Sequence, residues 1–225
     1  MRNVSRHILQ TTFQVRRKTL IVDLGRLRTV LSSAPRGGGI TRAKYILNHQ
    51  VAAKPVGQAD RSRDRCARCA DPARALGALA LALDIHDPFV GLMTAVSLEQ
   101  LVVMREATDE IMVEGFVTVG TSNAVRAGEP VVRKPQTGSS LYPGTINLIL
   151  VTNARLSASA MVGMVQVATE AKTAALLRAK VKSWTGRAGA TGTGTDAVVV
   201  VSGNGPTLRY SGTHTILGEL VGRVV

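Results

Sequence analysis

Five residues near the C-terminal end, Thr191-Gly192-Thr193-Gly194-Thr195, alternate a hydroxyl with a glycine, end on Asp196 and run into the apolar stretch Ala197 to Val201. Such a segment gathers backbone amides, hydroxyls and one carboxylate at the mouth of a buried strand, the usual construction of a small-molecule site. Upstream lies the helical pattern around ATEAKTAAL, Ala168 to Leu176. At about 100° per residue, Met161, Met164, Val165, Ala168, Ala175, Leu176 and Ala179 share one stripe, with Lys172 in its middle and Glu170 pointing away. A lysine there either snorkels to water or reaches a pocket, where it meets substrate or a buried carboxylate such as Asp196. Asp196 in turn either orients a base or binds a substrate amide, or it serves as a turn cap.

Gly37, Gly38 and Gly39 form a second candidate loop. Three successive glycines let the backbone approach a ligand closely, or else make a mobile connection. The loop lacks the Gly-Lys-Ser/Thr ending of a phosphate loop, so nucleotide hydrolysis is not expected. His49 is the histidine best placed for general-base work, since an ordinary imidazole titrates near neutrality; beside Asn48 it could equally be a hydrogen-bonded core residue. His7, His86 and His214 show no such context. No pair of histidines has the i, i+4 spacing of a metal site, and the one Cys-x-x-C, Cys66 and Cys69, has no second pair to complete a structural zinc site. The chain is therefore expected to hold no metal of its own.

The elements that position these residues follow from pattern. A chain of 225 residues with 45% hydrophobic content is expected to form a single domain over 1–225, with its core from about residue 20. Strands are expected at Phe13 to Val22 and Arg26 to Leu31, parted by a turn at Asp23-Leu24-Gly25, and at Tyr45 to Val51, Phe89 to Ala95, Met112 to Val119 and Thr145 to Thr152. Helices are expected from Asp71-Pro72 to Leu83, over SLEQLVVMREA, and after an N-cap at Ser157 or Ser159. Strands that cluster in adjacent pairs around a few helices favour an α+β fold, a layered sandwich of mainly antiparallel or mixed sheet with packed helices.

Charge and hydropathy narrow the partners. The formal net charge is +13, but much of the excess falls in Arg16 to Arg28 and Arg61 to Arg74, where arginines alternate with aspartates and small residues. With 3% aromatic residues to stack bases, nucleic acid is not the expected partner. The longest apolar runs fall well short of the roughly twenty residues of a membrane span, and arginines interrupt the N-terminus where a signal peptide would be apolar. A cytoplasmic location is expected, and the sequence is compatible with a homo-oligomer.

Several separate blocks then converge. LSSAPRGGG, LNHQV, VGLMTA, VGTSNAVRAG, PGTINLI, ATEAKTAAL and TGTGTDAVVV, taken together and in this order, resemble the adenosylcobinamide amidohydrolases of the CbiZ family. The resemblance implies hydrolysis of the amide that joins aminopropanol to a corrin side chain, giving adenosylcobyric acid in corrinoid salvage. No cofactor is expected on that reading, and cobalt would enter only within the corrinoid substrate. On that reading His49, Lys172, Glu170, Asp196 and Ser122 are the catalytic candidates. Substrate-binding candidates are Gly37, Gly38, Gly39, Asn48, Thr94, Asn123, Thr145, Asn147, Thr191, Thr193 and Thr195. GTINLILVTNARLS also looks like the corresponding region of self-processing serine aminopeptidases. That similarity implies helices layered around two sheets and raises Thr121 or Ser122, after Gly120, as a nucleophile freed by chain cleavage. A non-enzymatic corrinoid binder is the remaining alternative.

Overall fold

The computed structural model describes residues 11–51, 71–130 and 144–225. Cys66 and Cys69 lie outside the described residues. The chain opens with β1 (Thr12–Arg16) and β2 (Thr19–Ser32), joined by a two-residue turn in which Arg17 and Lys18 take φ of 50° and 56°. Two successive positive φ values make the tight hairpin turn whose twist matches the strands. The hairpin therefore turns at Arg17-Lys18, and not at Asp23-Leu24-Gly25 as the turn chemistry suggested. Those three residues stay within β2 as an irregularity: the pairing of β2 with β3 (Gly39–Gln50) shifts register between Asp23 and Arg28, and the Gly25 N–H folds back onto Asp23 Oδ1 at 2.8 Å. An irregularity of this kind bends the strand, and a long β2–β3 ribbon can then curl.

Helix α1 (Pro72–Ala82) starts as expected, with Asp71 accepting from the Arg74 N–H at 2.9 Å and Pro72 in the first turn. Its C-terminal carbonyls accept from the guanidinium groups of the hairpin turn, Arg17 to Ala82 and Arg16 to Leu83. After β4 (Phe89–Thr94), the segment expected to be helical is mostly strand. Leu98–Gln100 makes a single 3₁₀ turn, and β5 (Val102–Ala107) pairs antiparallel with β6 (Met112–Val119). One turn capped by Ser97 is too short to nucleate a helix, whereas Val102 and Val103 gain a partner strand at the sheet edge.

The short β7 (Ala124–Val125) precedes β8 (Ile146–Thr152) and β9 (Arg155–Leu156). Helix α2 (Ala158–Arg178) is capped by Ser157, whose Oγ accepts from the Ala160 N–H at 3.1 Å. The remaining elements are β10 (Gly192–Thr193), β11 (Ala197–Val201), β12 (Thr207–Leu208) and α3 (Ile216–Val224). The main sheet runs β4-β3-β2-β11-β8-β6-β5, with β1 alongside β2; β11 with β8 and β3 with β4 are parallel, and the other pairs are antiparallel. This is the mixed, layered α+β sandwich expected, made from one curled sheet.

Alternation along the strands sorts the core into layers. Ile146, Leu148 and Leu150 of β8 and Val198 and Val200 of β11 face α2 and α3, packing with Met161, Met164, Leu220 and Val221. Ile149, Val151, Val199 and Val201 face the other way, against Leu20, Val22, Ile46 and Leu92 of the curled half. Beyond that half, Ile21 and Leu47 pack against Ala80 and Leu83 of α1. The order is thus helices, sheet, sheet, helix. Among the described residues no helix is long and apolar enough to cross a membrane.

The helical layer sits close on β6 at Gly115, where an added Cβ would run into Val224 Cγ1. Gly115→Ala is expected to displace the end of α3 and to lower stability by about 1–3 kcal/mol, as overpacking does. Chemical denaturation should show a lower midpoint with an unchanged slope.

Candidate functional site

Most of the candidate polar residues gather at one end of the sandwich. Strands β8 and β11 begin there and β6 ends there, because Thr118 pairs with Asn147 and Asn147 pairs with Ala197. The ends of β3 and β4 are tied in by the Asn147 side chain, whose Nδ2 donates to Asn48 Oδ1 and to the Met93 carbonyl, both at 2.9 Å.

Asp196 is the hub on the α2 side. Its Oδ1 accepts from the Ile146 N–H at 3.0 Å and from the Thr193 hydroxyl. Oδ2 accepts from the Thr193 N–H at 3.0 Å and from Lys172 Nζ at 2.6 Å. The lysine and aspartate side chains are 12% and 13% exposed, so the pair is nearly enclosed. Lys172 therefore does not snorkel; it turns inward and meets the carboxylate proposed for it from spacing. The stripe that carries it is narrower than the sequence suggests: Met161, Met164, Ala168 and Leu176 are buried, but Ala175 and Ala179 are exposed.

The glycine alternation has a steric reason at Gly192, where a Cβ would run into Asp196 Oδ2 and lie 2.8 Å from Lys172 Nζ. At Gly194 an added Cβ would meet nothing within 4 Å, so the loop presents open backbone beside the ion pair. Around the hub, Thr195 Oγ1 and Thr145 Oγ1 share a hydrogen bond of 2.7 Å, and Thr191 Oγ1 accepts from the Ala127 N–H at 2.9 Å. Gly144 packs so tightly that a Cβ there would run into the Gly120 carbonyl and lie 2.5 Å from Asn123 Oδ1. Ser122 is exposed on the turn between Gly120 and Asn123.

A second polar group lies between the two halves of the sheet. Besides the Asn147 bonds, Asn48 Nδ2 donates to Thr118 Oγ1 at 3.3 Å. Asn147 Oδ1 is buried without a partner, as is Asn123 Oδ1. Thr94, 1% exposed, accepts from the Val96 N–H at 3.1 Å. Sequence reasoning missed Thr118 and the Met93 carbonyl. Only the two-residue alternation that puts Thr118 on the same face as Phe116 could have pointed to the former.

The remaining candidates are not drawn into these groups. His49 follows Asn48 on β3 and falls by alternation on the face of Leu47, toward α1. Its Nδ1 lies 2.9 Å from Thr19 Oγ1. Burial, aided by the Lys18 charge, holds the imidazole below its ordinary pKa, only partly offset by a backbone hydrogen bond at Lys18. Glu170 is exposed on α2 and accepts from Gln166 Nε2 at 3.1 Å. Gly37 and Gly39 take positive φ, 73° and 83°, and Gly37 packs against Phe89 and Val90 at the edge of β4. The loop is pinned there by the Arg36–Gly91 backbone bridge.

The fold is thus a layered α+β sandwich whose buried polar groups and close-packed glycines gather at one end of the strands. Over residues 4–225 the chain matches the family model described as adenosylcobinamide amidohydrolase. It is 31% identical over 223 residues to an adenosylcobinamide amidohydrolase of Methanosarcina mazei, covering 95% of this chain and 92% of that protein. An uncharacterised protein of Methanocaldococcus jannaschii is also 31% identical over 222 residues, covering 92% of this chain and 82% of that one. The chain belongs to the adenosylcobinamide amidohydrolase family.

Two expected outcomes follow. Lys172→Met keeps the stem and removes the charge, leaving Asp196 with its Thr193 and Ile146 donors but no counter-ion. Breaking such a pair is expected to cost about 3 kcal/mol, toward the low end because those donors remain, and to lower the melting temperature. The imidazole gives a pH dependence of defined sign. Its folded pKa lies below the unfolded one, so the unfolded chain binds more protons as the pH falls below the ordinary value of about 6.5. The contribution is complete above that value and is lost as the pH falls through the folded pKa. Melting temperatures of wild type and His49→Gln, compared from pH 8 downward, should diverge at the acid end, with the variant losing less.

Proposed function

We propose that the protein hydrolyses the amide joining aminopropanol to the corrin side chain of adenosylcobinamide. Water adds across the C–N bond, and adenosylcobyric acid and aminopropanol leave. The observation that carries this reading is the enclosed Lys172–Asp196 pair, held beside open glycine backbone within a family match that spans the chain.

Amide hydrolysis needs positive charge or N–H donors where the tetrahedral oxyanion forms, and a proton for the departing amine. The Lys172 ammonium supplies both kinds of help, and the backbone N–H of Gly194, between the N–H groups already engaged at Thr193 and Thr195, is a nearby donor. Asp196 fixes the ammonium in place. The hydroxyls of Thr145, Thr191, Thr193 and Thr195 bind polar groups of the substrate. Asn123 Oδ1 and Asn147 Oδ1, buried acceptors without a partner, suit the N–H groups of a carboxamide. His49 faces α1, with both sheet layers between it and α2, and this reading gives it no proton to move at the Lys172 site.

The test is incubation of purified protein with adenosylcobinamide, followed by chromatography of the corrinoids and assay of aminopropanol. Adenosylcobyric acid should form without added nucleotide or metal, turnover should survive a chelator, and intact mass should show one unsplit chain. Binding without release of aminopropanol would leave a corrinoid binder. A chain split near Gly120 would favour the self-processing route instead.

A further inference from the structure

We propose that Trp184 is the platform against which the corrin macrocycle rests while its side-chain amide reaches the Lys172–Asp196 pair. The proposal rests on the function proposed above. Trp184 is the chain's one tryptophan, and it stands 50% exposed in a protein with 3% aromatic residues. An indole so placed contributes little to the core, yet its backbone is held on a stiff frame.

The frame has three parts. Ser183, 4% exposed, receives the Gly186 N–H at 2.8 Å on its carbonyl and sends its own N–H to the Arg187 carbonyl at 2.8 Å, closing a tight turn. The hydroxyls on either side of the tryptophan, Ser183 and Thr185, both donate to Glu129 Oε1. These donors, with the Arg126 N–H, outweigh the effect of burial and hold the Glu129 carboxyl below its usual pKa, so it stays an acceptor. The Lys182–Ala188 bridge closes the base of the turn.

The frame also sets the backbone of Trp184 beside the loop that holds the ion pair. The Trp184 N–H donates to the Ala124 carbonyl at 2.7 Å, Ala124 pairs with Thr193, and Thr193 binds Asp196. One residue thus separates Trp184 from the loop that holds the ion pair, and Asn123 is the chain neighbour of that residue. A broad, polarisable indole offers apolar contact area to the partly conjugated macrocycle and its methyl-bearing rim. The scissile amide lies on a side chain outside that ring, so the ring itself must rest beside the pair and not over it.

The experiment compares wild type, Trp184→Ala and Trp184→Phe by equilibrium dialysis with cobinamide and by initial rates on adenosylcobinamide. Loss of the indole should weaken Kd and raise KM about tenfold, the magnitude of a well-packed aromatic contact, with kcat little changed. Trp184→Phe should recover most of the affinity. Because the chain has a single indole, its oxidation by N-bromosuccinimide is a second readout that needs no mutation, and saturating cobinamide should slow it. Variants with wild-type Kd and KM, or an indole that cobinamide leaves unprotected, would overturn the proposal while the function stands. If Trp184→Ala fails to fold, Trp184→Phe and the oxidation assay decide. A wild-type protein that neither binds cobinamide nor releases aminopropanol would overturn both readings together.

Discussion

The carboxylate of Asp196 is the constraint on which this end of the molecule depends. It takes one N–H from the start of β8, an N–H and a hydroxyl from the glycine-threonine loop, and the ammonium of α2. Four groups from three segments thereby converge on two oxygen atoms. A carboxylate so satisfied can sit nearly out of water, because these partners replace the hydration it gives up. The close glycine at 192 follows from this. No side chain fits between the loop and the pair, so the loop must pass over it as bare backbone. Two residues further on, Gly194 leaves the backbone open, with nothing within 4 Å of an added Cβ.

A second constraint is the curl of the sheet. The β2–β3 ribbon bends at the irregularity between Asp23 and Arg28, and its halves then serve two layers, with valines and isoleucines interleaved between them. Asn147 reaches across that apolar layer to Asn48 and Met93, fixing the end of β8 against the ends of β3 and β4. A buried amide that uses both of its N–H donors is specific about geometry in a way that packed leucines are not, since a shifted layer would strand the donors. The polar contacts between the layers thus set how the halves meet, and the apolar contacts supply the burial.

Much of this was legible in the sequence, for reasons that can be named. Helix α1 could be read from Asp71-Pro72, helix α2 from Ser157, and the inward turn of Lys172 from its place in an apolar stripe. These signals are local: a cap, a fixed φ, a period. What could not be read depended on contacts distant in the chain. The hairpin turn at Arg17-Lys18 carries no glycine or asparagine, so Asp23 and Gly25 offered stronger turn chemistry and drew the break to the wrong place. SLEQLVVMREA has a helix-like mixture of residues, but β6 was waiting as a partner for Val102 to Ala107, and pairing overrode propensity. The candidate site divides in the same way. Asp196, Thr193 and Lys172 shared a local logic, whereas Thr118 and the Met93 carbonyl enter only through the curl.

The pair Asn48 and His49 shows why a motif can be right about a place and silent about a role. The two residues are neighbours in one block, and a catalytic reading of the block draws in both. On a strand, however, neighbours point to opposite faces. Asn48 enters the layer between the sheet halves, 1% exposed, and joins Thr118 and Asn147. His49 turns toward α1 and Thr19, with its pKa held down by burial. One residue of the pair therefore joins the polar end of the sandwich, and the other lies in the α1 layer, where burial lowers its pKa. The imidazole is the group that general-base chemistry would nominate, yet the geometry gives that end of the protein an ammonium, hydroxyls and amides instead. Among those groups the ammonium of Lys172 is the one held in a fixed place, by a carboxylate that is itself tied to the start of β8 and to the glycine-threonine loop.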